Sequence, residues 1–191
     1  DAFPAHLLQK KDGKILEVYV DESGREITGD LSKPELAADA ACVAETLGEE
    51  QRHGVSLEAR AWLREAAARL EYGFLLTVDY GKRFAPGAPN LPRSYRRHEI
   101  LDELSAQPGT KDITLPADFE ALIAEGAKAR LDLESYQSLA TFLVEGGIET
   151  WLAAATGDAA SRYKERAQLK TLIHPEGMGE AFKVLIQGKS E

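Results

Sequence analysis

Asp79 and Tyr80 close the apolar run "FLLTV" at 74–78, and Gly81 follows them. A carboxylate and a phenol at the end of a stretch that reads as a buried strand can orient a cationic substrate by hydrogen bonds or exchange a proton with it. A structural use is equally open, with Asp79 capping the next turn and Tyr80 covering the sheet edge. The segment beyond, 82–98, carries Lys82, Arg83, Arg93, Arg96, Arg97 and His98 and no acid, inside a chain of net charge −9. Pro86, Pro89 and Pro92 favour an extended loop there over a helix. Such a run is either a solvated face or a lip that attracts anionic groups on a partner.

Other candidates are weaker. His6, His53, His98 and His174 have no metal-ligand spacing, and the single Cys42 has no internal disulfide partner. "PEGMGEAF" contains a Gly-x-Gly, but it precedes the last strand instead of following one, so it reads as a turn and not a phosphate cradle. Asp112, Asp118, Asp132 and Glu134 could supply an acid/base pair, yet acids at helix starts ordinarily serve as caps. Trp62 and Trp151 read as core residues, since an aromatic on an apolar helical face is ordinarily packing.

The elements that must position these groups follow from pattern. Residues 5–29 read as an antiparallel meander, with Asp12-Gly13 and "DESGRE" as its turns. "PELAADAACVAETL" reads as a surface helix with Pro34 in its first turn and Gly48 as its stop. A stronger helix spans 56–71, with Ser56 as N-cap and Ala59, Trp62, Leu63, Ala66 and Leu70 along one face. A helix, a short turn and the apolar strand make half of a βαβ unit, which predicts a parallel sheet covered on both faces. "DFEALIAEGAKA" is helical, "RLDLES" is a short strand, helical segments follow near 136–146, 148–156 and 158–172, and "AFKVLIQG" is a final strand. In an open parallel sheet ligands bind beyond the carboxyl ends of the strands, which is where Asp79 and Tyr80 fall.

At 191 residues the chain suits one domain or a portion of one, and its composition, 43% apolar and 29% charged, is that of a soluble globular protein. Its acidity argues against a general nucleic-acid surface, and no apolar run is long enough to cross a membrane. A reducing compartment is expected. Because Asp1 is not Met, the chain reads as beginning mid-protein or trimmed.

Several pieces in order, "DAFPAHLL", "GFLLTVDYG", "SYRRHEILDE", "GTKDITLPADF", "FLVEGGI" and "HPEGMGEAFKVL", resemble the C-terminal half of the MidA-like methyltransferases, a family that includes a mitochondrial assembly factor of respiratory complex I. The resemblance extends over nearly the whole chain. It implies an α/β fold: the C-terminal part of a Rossmann-like methyltransferase sheet with an added antiparallel meander and helical insertions, so that 1–191 is a portion of a single domain. It implies an S-adenosylmethionine-dependent methyltransferase, with a protein arginine as acceptor. "DAFPAH" is similar to the end of the family's Asn-Glu-x-x-Asp-Ala-x-Pro motif, which makes Asp1 the motif aspartate.

On that mapping the cofactor site lies mainly in an N-terminal half that precedes this chain, and the chain alone is expected to be inactive. The expected catalytic residues are Asp1, Asp79 and Tyr80, and the expected substrate-binding residues are His6, Arg96, Arg97 and His98. The implied partners are a protein substrate and the N-terminal half of the same protein, with a homodimer through 136–172 compatible. The implied location is the cytoplasm, or the mitochondrial matrix in a eukaryote. Where many members read Thr-Ala-His-Val-Asp-Phe, this chain has Thr114-Leu115-Pro116-Ala117-Asp118-Phe119. Two alternatives remain at this point: a non-catalytic assembly or protein-binding module of the same fold, and an unrelated α/β enzyme that holds a phosphate-bearing substrate on the 82–98 loop.

Overall fold

The computed structural model describes residues 3–96, 99–101, 104–105, 109–150 and 158–190. It divides into two compact units, one of residues 1–66 and 82–125, the other of 67–81 and 126–191.

The first unit opens with the meander: β1 (His6–Lys11), β2 (Lys14–Val20) and β3 (Glu26–Gly29). Asp12 and Gly13 both have positive φ, 50° and 72°, the requirement of a two-residue hairpin turn that matches strand twist. The second turn is held by Asp21, whose Oδ1 accepts from the Ser23 and Arg25 amides at 2.8 and 2.9 Å. A fourth strand, β4 (Arg52–Val55), pairs antiparallel with β1, so the order is β3-β2-β1-β4. A 3₁₀ turn (Pro34–Leu36) and α1 (Ala37–Ala44) lie on one face of this sheet. Leu36, Ala40, Val43 and Leu47 pack there with Leu8 and Val55 into a core, so the predicted surface helix is a core helix. Each of these leucines contributes roughly 1.5–3 kcal/mol by leaving water.

The same unit holds a second antiparallel sheet, β6 (Arg93–Arg96) flanked by β7 (Glu99–Leu101) and β8 (Asp112–Thr114). The far end of the expected extended loop is therefore a strand. The helix α2 (Leu57–Arg69) starts where Ser56 Oγ accepts from the Ala59 amide at 3.2 Å. Leu63 and Ala67 are buried along it, but Trp62 is 41% exposed and tilts against Phe3 with ring centroids 6.2 Å apart. The core expectation for Trp62 fails because it sits at the edge of the helix's apolar stripe; Trp151 lies outside the described residues.

The second unit is built on β5 (Gly73–Lys82), β10 (Asp132–Ser138) and β11 (Phe182–Lys189). β11 pairs antiparallel with both β10 and β5, with Val184 opposite Val78 and Phe182 opposite Tyr80. The parallel expectation thus fails at this edge, because the chain returns to β5 as an antiparallel strand, a common device at the margin of α/β sheets. Coverage also differs from expectation: Phe74, Leu76 and Val78, alternate residues on one face of β5, are 70%, 49% and 44% exposed. The second unit also holds α4 (Leu139–Glu145), α5 (Ala159–Ile173) and α6 (Met178–Ala181), while the two-residue strand β9 (Ala117–Asp118) and most of α3 (Phe119–Lys128) belong to the first. α4 is capped by Ser138, whose Oγ accepts from the Thr141 amide at 3.1 Å. Of "PEGMGEAF" only the first part is the expected turn, closed by the Gly177 amide on the His174 carbonyl at 2.9 Å; Met178–Ala181 is the helix α6 and Phe182 opens β11.

Candidate functional site

The sequence-predicted residues fall in both units. Asp79 and Tyr80 share the end of β5 in the second, where Asp79 Oδ1 accepts from the Tyr80 amide at 2.8 Å. The Tyr80 ring meets Phe182 edge-on, centroids 6.1 Å apart, and its hydroxyl oxygen is buried. Lys183 stands opposite Asp79 across the β5–β11 ladder. In the first unit His6 begins β1, and Arg96 ends β6 as an exposed residue opposite Glu99. Asp1, Arg97 and His98 lie outside the described residues.

A cavity of about 400 Å³ lies in the first unit, within the usual range for ligand pockets. Its sheet wall is set by strand alternation: Leu7, Val18 and Gly54 project to the face opposite Leu8, Glu17 and Val55. Gly54 is needed there because a Cβ would sit 2.4 Å from Leu115 Cδ1, so a larger residue would push Leu115 off the wall. Phe3, Val20 and Ile113 line the cavity while being 40%, 57% and 54% exposed, which gives it an apolar mouth. The acid on its lining, Glu26, is paired with Arg52 at 2.6 Å.

His6 is among the residues that line the cavity, but strand alternation puts its side chain on the opposite face with Leu8, Glu17 and Val55, where a buried carboxylate holds it. Glu17 is 4% exposed; its Oε1 lies 2.7 Å from His6 Nδ1 and accepts from Ser32 Oγ at 3.1 Å, and its Oε2 accepts from the Ser32 amide at 2.6 Å and Tyr19 Oη at 3.1 Å. Burial pushes the Glu17 carboxyl up, but the Ser32 amide, His6 and the two hydroxyls outweigh it and hold the group below its ordinary value. Sequence reasoning missed Glu17. The signal was present: with Asp12-Gly13 as a two-residue turn, the hairpin register makes Glu17 a diagonal same-face neighbour of His6.

A second polar group is buried around His53. Its Nδ1 lies 3.1 Å from the Ala88 carbonyl and 3.3 Å from the Asn90 amide, and burial pushes its pKa down against the opposing pull of that carbonyl and of Asp118. Asp118 is pushed up by burial, against the Ala121 amide, the Arg60 charge and the Glu120 amide. It caps α3 by accepting from the Glu120 and Ala121 amides at 3.1 and 3.2 Å. Arg60 forks onto Asp39 at 2.6 and 2.9 Å, the bidentate geometry that best repays desolvation.

The family model described as S-adenosyl-L-methionine-dependent methyltransferase matches residues 1–137. The chain is 27% identical over 199 residues to the Drosophila melanogaster protein named "Protein arginine methyltransferase NDUFAF7 homolog, mitochondrial", covering 97% of this chain and 44% of that protein. A solved structure from Burkholderia thailandensis, with S-adenosyl-homocysteine bound, is similar at TM-score 0.83 and 28% identity over 99% of this chain and 51% of the other. A native structure of an uncharacterised protein from the same organism matches at TM-score 0.81 and 27% identity, covering 97% and 52%. The chain spans about half the length of these relatives.

Proposed function

The chain belongs to this family of S-adenosyl-L-methionine-dependent methyltransferases, and on that premise we propose that it is the acceptor-facing part of an enzyme that methylates a protein, with arginine as the residue modified. The observation that carries the reading is the extent of the family match, residues 1–137. The arginine acceptor follows the name of the Drosophila relative.

S-adenosylmethionine does not fit the described residues by themselves. Its phosphate-free nucleoside and amino-acid ends call for a carboxylate on the ribose and close backbone approach at a glycine-rich turn after a strand. The cavity instead has largely apolar walls and a Glu26 already committed to Arg52. The cofactor seat therefore belongs, in this proposal, to the half of the relatives' length that this chain does not span. The exposed apolar face of β5 at Phe74, Leu76 and Val78 supports a need for further protein, since such a stripe is ordinarily covered.

On the acceptor side, a guanidinium is planar, always charged and a poor nucleophile, so carboxylates must align one nitrogen and balance its charge. Asp79 is assigned to that task with Asp1, and Tyr80, fixed edge-on to Phe182, shapes the approach. Arg96, Arg97 and His98 are assigned to an acidic surface of the partner protein, where they raise the encounter rate. The test is transfer of labelled methyl groups from S-adenosylmethionine to protein by the longer polypeptide that includes these residues. Asp79→Asn is expected to lower kcat about 100-fold, the scale of a misaligned acceptor. An unchanged rate would remove Asp79 from the site, and no transfer by the unaltered protein would remove the activity.

A further inference from the structure

We infer that Glu180 is a positioning residue for the methyl acceptor: it draws the ammonium of Lys183 away from Asp79, so that this resident cation does not compete with the guanidinium for that carboxylate. The inference rests on the reading of the chain as part of a protein arginine methyltransferase in which Asp79 aligns the acceptor.

Strand register brings Lys183 to Asp79. The two stand directly opposite each other on the antiparallel β11–β5 ladder, so their side chains leave the same face of the sheet with Cβ atoms about 5 Å apart, within easy reach of a lysine stem. On its other side Lys183 stands opposite Ser138 of β10, whose hydroxyl is committed to Thr141 as the cap of α4. Of the two residues that flank Lys183 in the ladder, only Asp79 is an acid. Its Nζ nevertheless turns to Glu180 of α6, three residues back, at 3.3 Å. The Glu180 side chain is 55% exposed, whereas Asp79 is half-buried. Attraction between opposite charges is weaker in the more exposed setting, so the pair that forms is the weaker of the two that the register allows.

The charge balance gives this choice a use. A guanidinium calls for a carboxylate that is not already neutralised by another cation. Asp79, Glu180 and Lys183 together supply two carboxylates and one ammonium, and with the ammonium on Glu180 a negative charge stays at the end of β5. Without Glu180 the ammonium has Asp79 as its cross-strand acid, and an arriving guanidinium meets a like charge, which lowers affinity. Because Lys183 and the acceptor then compete for one group, saturating acceptor overcomes the loss, and the effect falls on KM and not on kcat.

The test is made in the longer polypeptide, with S-adenosylmethionine at saturation and a capped peptide carrying a single arginine as acceptor. Glu180→Gln is expected to raise KM for the peptide about fivefold, the scale of one exposed ion pair, with kcat changed less than about twofold. Adding Lys183→Met to Glu180→Gln is expected to bring KM back to within about twofold of the unaltered protein, a rescue that a merely structural role for Glu180 would not give. A crystal structure of the Glu180→Gln polypeptide is expected to show Lys183 Nζ at hydrogen-bonding distance from Asp79. An ammonium that stays away from Asp79 in that structure would overturn the inference, as would a KM that does not rise or is not restored by Lys183→Met. If these fail while Asp79→Asn still lowers kcat, this inference alone falls. If the unaltered protein methylates no arginine, or Asp79→Asn is as fast as the unaltered protein, the underlying reading falls and takes this inference with it.

Discussion

His53 is 8% exposed with Nδ1 against the Ala88 carbonyl, and burial keeps its ring neutral in the folded protein. A histidine whose folded pKa is depressed adds stability above its unfolded value, near pH 6.5, and that stability is lost as pH falls from there through the folded value. Urea midpoints measured between pH 7.5 and 5 should therefore fall more steeply for the wild type than for His53→Gln, and parallel curves would show that His53 does not titrate on unfolding. Asp118 has the opposite sign: its raised pKa means that protonation favours the folded state as pH falls through the folded value. Of these residues only the capping role of Asp118 was legible in the sequence, as an acid just before "FEALIAEGAKA". Glu17, His53 and the Arg60–Asp39 fork look like ordinary polar residues along the chain, and strand register with side-chain burial is what gives them partners.

At the scale of elements, the turns were the most readable part, because Asp12-Gly13 and Asp21 to Arg25 carry their conformational requirement in their own side chains. The orientation of β5 was not readable. "FLLTV" is equally apolar whether its neighbour is parallel or returns antiparallel, and the partner, β11, is more than a hundred residues away in sequence. Gly54 shows how an element shapes the site: its backbone conformation is ordinary, but its missing Cβ lets Leu115 close the cavity wall. Gly54→Ala is expected to destabilise the protein by about 1–3 kcal/mol through overpacking. Adding Leu115→Ala should return part of that loss, since the two sites share one contact. Additive losses in chemical denaturation would mean that Leu115 does not bear on Gly54.

At the scale of the whole molecule, the family assignment and the Rossmann-like α/β fold were legible from ordered short motifs spread over nearly the full length, "DAFPAH" to "MGEAFKVL". The relatives are about twice as long, and β5 turns an apolar face to solvent. The central claim is a division of labour, with the cofactor seated elsewhere in the longer polypeptide and the acceptor guided by this chain. Titration calorimetry with S-adenosylmethionine, run in parallel on the longer polypeptide and on residues 1–191, tests it most directly. Saturable binding to the first with none to the second is the predicted result, and full affinity in residues 1–191 alone would contradict it.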